Sequence, residues 1–260
     1  MPAHPISRRE FAAGFAVSSS LLAAEAVAQP SGSKRPLHVV CVGAHPDDPE
    51  SGCGGTLARY ATAGHRVTIV YLTRGEAGIR GKTHEEAAAI RTAEAEAACR
   101  ILGATPVFAG QIDGATEITP ERTKAFTAML LADRPDVVLT HWPIDTHPDH
   151  QAASLLALRA SQASGGRFPV YFFEVDYGYQ TMGFQPSDYV DITPVREKKK
   201  AALFAHRSQD GEAIYREHHE IMESFRGRES GVAAAEAFIS IPRDNRKRGL
   251  PGLESSSPAG

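Results

Sequence analysis

From Leu37 onward, short continuous apolar runs alternate with longer amphipathic stretches, and this alternation limits the fold more than any other feature of the chain. Residues 37–43, 66–73, 106–109, 136–140 and 168–175 have strand length and strand composition. Apart from His38 the first is a continuous apolar run and does not alternate, which marks a strand covered on both faces. Between the runs lie helix-length segments. Residues 54–63 end at Gly64, and Thr83 with Glu86 forms a capping box that opens a helix running to Leu102 before Gly103. Thr119-Pro120 opens another that runs to about Leu131, and 151–160, 194–204 and 213–225 follow. Strands that alternate with helices of this length build βαβ units with right-handed crossovers. The expected fold class is therefore α/β, a single domain with a mostly parallel sheet and helices on both faces.

The first strand runs directly into Ala44-His45-Pro46-Asp47-Asp48-Pro49-Glu50, ahead of the glycine-rich Gly52-Cys53-Gly54-Gly55. Adjacent carboxylates beside a histidine repel each other unless a cation or a proton reconciles them. Pro46 keeps His45 extended at the strand tip. One reading is a metal site in which one aspartate is a ligand and the other faces water. The other is a capped turn, with Asp48 capping a helix and Pro49 in its first position. Taken alone, the stretch leaves both open.

A second cluster follows the strand at 136–140: His141-Trp142-Pro143-Ile144-Asp145-Thr146-His147-Pro148-Asp149-His150. In open α/β sheets ligands bind at the carboxyl ends of the strands, so both loops should share one rim. Capping explains one aspartate but not three histidines and two aspartates in ten residues. A catalytic zinc takes three protein ligands and keeps one open position. His45, Asp48 and His150 supply that set, leaving Asp47 as a general base on the metal-bound water and His147, if protonated and oriented by Asp149, as an oxyanion stabiliser. His141 reads as a rim histidine and not as a ligand. His206 is divided between a substrate contact and helix capping. Glu174, His218, His219 and the run Lys198-Lys199-Lys200 read as surface groups.

These motifs resemble those of the PIG-L/LmbE family of zinc-dependent de-N-acetylases. The similarity continues through Gly52-Cys53-Gly54-Gly55-Thr56-Leu57, Leu72-Thr73-Arg74-Gly75-Glu76-Ala77-Gly78, His141-Trp142-Pro143 and His206-Arg207-Ser208-Gln209, and spans about 37–238. The resemblance implies a Rossmann-like fold over 37–242 and removal of an acetyl group from an N-acetylglucosamine-type sugar or conjugate. It implies one Zn2+ per chain on His45, Asp48 and His150, with Fe2+ as the other ion this donor set accepts. Asp47 is then the base, and His147 with Asp149 the oxyanion pair. Arg80 and Asp113 match positions that hold substrate hydroxyls. Assembly into homo-oligomers is a further expectation from the resemblance.

Two other functions use the same residues. A non-haem iron oxygenase also takes two histidines and a carboxylate, but has no use for Asp47. A non-catalytic sugar-binding module would be marked by loss of a ligand or the base, and none is lost here.

The ends of the chain read differently. Ser7-Arg8-Arg9-Glu10-Phe11, the apolar stretch 11–24 and Ala26-Val27-Ala28 form a bacterial twin-arginine leader over 1–28, followed by a linker at 29–36. The expected location is periplasmic or extracellular, with no membrane span in the mature chain, since the leader is shorter than the roughly 20 apolar residues that cross a bilayer. The tail at 243–260 reads as disordered. A net charge of -3 gives no reason to expect a nucleic-acid partner. Cys41, Cys53 and Cys99 are expected as buried small hydrophobes without a disulfide.

Overall fold

The computed structural model describes residues 35–175, 180–241 and 249–253, and a compact unit begins at Pro36. The leader at 1–28 and most of the linker lie outside the described residues. The strands are β1 (His38–Gly43), β2 (Arg66–Tyr71), β3 (Thr105–Phe108), β4 (Val137–His141), β5 (Val170–Phe173), β6 (Asp188–Asp191) and β7 (Ala235–Ser240). They form one sheet in the order β3-β2-β1-β4-β5-β7-β6, parallel from β3 to β5 and antiparallel at β7 and β6. The mostly parallel α/β sheet expected from the alternation is present. The antiparallel edge is not foreseen, because Asp188–Asp191 is only 4 residues long, with an aspartate at each end, and carries no buried-strand signal.

Alternate residues of a strand face opposite sides of the sheet, so β1 feeds two cores. Val39 and Cys41 pack with Leu57, Ile69, Leu102 and Phe238 on one face. Val40 and Val42 pack with Leu130, Val138, Leu156 and Phe172 on the other. Helices α1 (Asp48–Thr62) and α2 (His84–Leu102) belong to the first face, and α3 (Pro120–Ala132) and α4 (Pro148–Ala163) to the second. Thr83 and Glu86 cap α2 reciprocally, and Gly103 ends it in the left-handed conformation with φ 80°.

Helix α1 begins at Asp48, six residues before the expected start, because its glycines serve close packing and not a loop. A Cβ on Gly52 would lie 2.5 Å from Phe173, and one on Gly55 2.7 Å from Ile192. The helix breaks at Cys53, whose φ is -147°. The N–H groups freed at the break, those of Gly55 and Thr56, donate to the Glu236 carboxylate at 2.9 and 2.7 Å.

Helix α5 (Arg196–Leu203) matches the expected one, but the segment expected as a single helix over 213–225 is composite. It comprises α6 (Gly211–Ile214), a π-type turn at Tyr215–His219, and α7 (Glu220–Ser230). His219 and Lys199 are buried, contrary to their surface reading. Lys199 forms ion pairs with Glu236 at 2.9 Å and Glu223 at 3.3 Å. Glu174 is buried as well and pairs with Arg226 through two contacts of 2.7 and 2.9 Å. Within the tail expected to be disordered, residues 249–253 lie against the domain. Leu250 is buried, Tyr171 donates to the Gly249 carbonyl, and Tyr60 donates to that of Pro251. Residues 243–248 and 254–260 are outside the described residues. Among the described residues no helix is long and apolar enough to cross a membrane.

Candidate metal centre

In the strand order, β1 is the point from which successive strands diverge, β2 to one side and β4 to the other. Ligand crevices form at such a switch point. The loops after β1 and β4 meet there and lead into the N-termini of α1 and α4, whose dipoles favour carboxylates in the first turn. Asp48 and Asp149 occupy those turns.

His45, Asp48 and His150 converge. His45 Nδ1 is 3.1 Å from Asp48 Oδ2, His150 Nε2 is 3.3 Å from Asp48 Oδ1, and one ligand atom from each of the three lies within 4.8 Å of the others. Each imidazole has its far nitrogen against a carboxylate. His45 Nε2 is 3.1 Å from Asp149, and His150 Nδ1 is 3.2 Å from Asp145. Such outer carboxylates fix the ring and leave the inner nitrogen free for a cation. Two further triads, His45-His147-Asp149 and His141-Asp145-His150, overlap the first and share a histidine with it. His141 is the poorer donor because its Nε2 accepts the Ala44 N–H at 3.1 Å, as its rim reading expects. Burial, helped by the charge of His150, pushes its pKa down to about 4.

The charges of the cluster are out of balance. Asp47, Asp48, Asp113, Asp145 and Asp149 stand against one guanidinium, that of Arg91. Burial would raise the pKa of Asp48, but His150, His141 and His45 hold it well below the usual range. Burial would likewise lower His45 and His150. For His45 the carboxylates of Asp48, Asp113 and Asp149 more than reverse this, and for His150 those of Asp48 and Asp145 push it up to about 9. For His45 and His150 the surrounding carboxylates thus favour the protonated ring, a positive charge that a divalent ion would otherwise supply. The donor set and its outer carboxylates fit such an ion.

Asp47 lies beside this set. Its backbone has φ 111° and ψ -33°, a conformation rare outside glycine that persists only where the surroundings enforce it. Arg91 Nη2 holds its Oδ2 at 3.0 Å and also donates to the Pro46 carbonyl. Burial raises the Asp47 pKa against the opposing pull of Arg91. The His147 ring is 4.7 Å from that of His45 and 4.8 Å from that of His150. His147 Nδ1 accepts the backbone N–H of Asp149 at 3.2 Å, so a neutral ring carries its proton on Nε2. Burial and the charges of His45 and His150 lower its pKa, which favours that neutral form over the protonated one expected from the sequence.

Two expected placements differ. The Asp149 carboxylate does not orient the His147 ring; it meets His45, the Thr116 hydroxyl at 2.6 Å and the Gly114 N–H at 2.8 Å. Asp113 is in the site, with Oδ1 3.2 Å from His45 Nε2 and Oδ2 accepting the Ala77 N–H. Arg80 is exposed and makes no hydrogen bond or ion pair with the described residues. The arginine that does reach the site is Arg91, 4% exposed on α2. Its signal was in the sequence, because it falls in register with Ala87, Ala88, Ala95 and Ala98 on the buried face of that helix. Asp145 had no such independent sign beyond its place in the histidine-rich loop.

Comparison with known proteins agrees with this geometry. The PIG-L profile, described as GlcNAc-PI de-N-acetylase, matches residues 40–161. A diacetylchitobiose deacetylase of Thermococcus kodakarensis is 30% identical over 222 residues, covering 78% of this chain and 83% of the relative. The structure of N,N'-diacetylchitobiose deacetylase from Pyrococcus horikoshii superposes with a TM-score of 0.69 at 28% identity, covering 80% of this chain and 85% of that one. GalB, the 4-carboxy-2-hydroxymuconate hydratase of Pseudomonas putida KT2440, also gives 0.69 at 28% identity, over 81% and 99% of the two chains. The paired loops, the shared fold and a relative matched over most of its length place this chain in the PIG-L family.

Proposed function

We propose that the protein is a metal-dependent hydrolase that removes the acetyl group from an N-acetylglucosamine-type sugar or conjugate, giving acetate and a free amine. The observation that carries this reading is the convergence of His45, Asp48 and His150, each imidazole backed by a carboxylate, with a buried carboxylate alongside that is not needed to complete the set. His45, Asp48 and His150 would hold the ion, Zn2+ by preference. When bound, it supplies Lewis acidity that lowers the pKa of water and polarises an amide carbonyl.

The remaining work falls to side chains. Arg91 ties Oδ2 of Asp47 and the backbone N–H of Glu50 meets the same side chain in the capping box of α1, so the carboxylate is held in place to accept the proton of the attacking water and return it to the departing amine. A carboxylate with a pKa raised by burial suits that exchange better than an exposed one. Neutral His147, with its proton on Nε2, donates to the oxygen on which negative charge develops. Asp149 serves as the outer carboxylate of His45. Asp113, at the edge of the cluster, is placed to accept from a sugar hydroxyl.

A hydratase reaction is the second reading, favoured by the likeness to GalB. A carboxylate-rich substrate would meet five aspartates and an arginine already committed to Asp47, which counts against it. An iron oxygenase would leave Asp47 without a task. The test is acetate release from N-acetylglucosamine, diacetylchitobiose and N-acetylglucosaminyl-inositol by zinc-loaded protein. Asp47→Asn should lower the rate by about 10²–10⁴-fold. Absence of acetate from every substrate, with Asp47→Asn no different from wild type, would overturn the proposal. Export by the twin-arginine route is proposed from the leader motif alone. It predicts that Arg8→Lys with Arg9→Lys retains the protein in the cytoplasm.

A further inference from the structure

The turn His206-Arg207-Ser208-Gln209 contributes no atom to the metal cluster, yet its side chains are anchored behind it. Ser208 donates its backbone N–H and its hydroxyl to the two carboxylate oxygens of Glu94 on α2, at 2.8 and 2.6 Å. Gln209 Nε2 donates to the Gly78 carbonyl at 3.2 Å. His206 is fully buried, and its Nε2 lies 3.3 Å from Glu50 Oε1, an ion-pair contact without hydrogen-bond alignment. Glu50 is also fully buried. Its Oε1 accepts the Tyr71 hydroxyl at 2.5 Å, and its Oε2 accepts the N–H of Asp47 at 3.3 Å.

The chain of contacts ends on the residue with the least favourable backbone in the site, Asp47 at φ 111°. A strained backbone is kept only where neighbours over-determine it. Packing alone would be met by an apolar side chain at position 50, since a buried carboxylate is expensive to desolvate. We propose that Glu50, backed by His206 on the 206–209 turn, is a positioning residue that holds Asp47 in its strained conformation and so aims its carboxylate. Arg91 fixes the same side chain at its tip; Glu50 fixes the backbone from which it projects. The inference rests on the reading of Asp47 as the base.

The test compares wild type with His206→Asn and Ser208→Ala in zinc-loaded protein, by amide hydrogen exchange and by kinetics. In His206→Asn the amides of residues 47–51 should exchange about tenfold faster, while those of 149–151 stay at the wild-type rate. Zinc content should be unchanged, KM should stay within about twofold, and kcat should fall about 10- to 100-fold, the scale of a misplaced catalytic group. In an Asp47→Asn background the same substitution should cause no further loss. Ser208→Ala removes one contact to Glu94 and should move the same amides in the same direction by a smaller factor, which keeps the test open if His206→Asn does not fold. Unchanged exchange at 47–51 in both variants, or equal acceleration at 149–151, would overturn the proposal. If Asp47→Asn itself retained activity, the assignment of the base would fail while the exchange result still decided the role of Glu50.

Discussion

The molecule buries two clusters of charge against helix α1, one at its N-terminus and one at its break, and they are built differently. Around Lys199, two cations face two carboxylates. Lys199 pairs with Glu236 and Glu223, and Arg196 pairs with Glu223. Burial would strip the proton from Lys199, but Glu236 and Glu223 raise its pKa instead. That cluster is complete with protein atoms alone. The cluster at the strand tips is not, because five carboxylates there face one guanidinium and a set of imidazoles. The balanced cluster is structural, and the unbalanced one has room for a charge that the chain does not supply.

The contrast can be broken from either side. Asp48→Asn removes the carboxylate shared by three histidines, and should weaken zinc affinity beyond the roughly 100-fold typical of an outer partner, as read by chelator competition. It should leave thermal stability of the metal-free protein far less affected than Lys199→Met, which takes the cation from the buried Glu236 carboxylate and one of two cations from Glu223. The latter should lower stability by about 3–5 kcal/mol in denaturant unfolding while zinc still binds. Equal effects of the two substitutions on both readouts would erase the distinction.

The pH response should sharpen it further. In the metal-free protein the His150 pKa is raised from 6.5 to about 9, so its protonated form contributes stability that is full below pH 6.5 and lost as pH rises through about 9. Zinc needs that nitrogen unprotonated, so its affinity should rise over the same interval. The gap in Tm between zinc-bound and metal-free protein should therefore widen between pH 6.5 and 9. A constant gap would place His150 outside the ligand set. The smallest effect is expected from Thr116→Val, which removes the 2.6 Å hydrogen bond to Asp149 and acts on the ion only through His45. A loss of zinc affinity near tenfold would fit that distance from the site.

Much of this was legible before any coordinates. Continuous apolar runs gave the parallel strands, and two histidine–aspartate loops after β1 and β4 gave the residues that converge at the strand tips, because both signals are local. What escaped notice depends on contacts between distant segments. Gly52 reads as lying ahead of the helix until Phe173 is seen against it. Lys199 looks like an exposed charge until Glu236, 37 residues on, is seen to meet it. Arg80 carries the expected residue type in a plausible turn, whereas Arg91 reaches the site because a helix face turns it inward. The role of Asp149 moved from one histidine to another for the same reason, since sequence neighbours such as His147 need not be side-chain neighbours.

Residues 249–253 pack where β1 begins, close enough that a Cβ on Gly252 would lie 2.7 Å from Leu37. The first strand and the last described segment therefore meet at the pole opposite the strand tips. A circular permutant that links residue 253 to residue 37 and opens the chain in the exposed turn at Lys82 would need only a short linker. Fusion or surface attachment through that pole would leave the mouth of the metal centre facing solution.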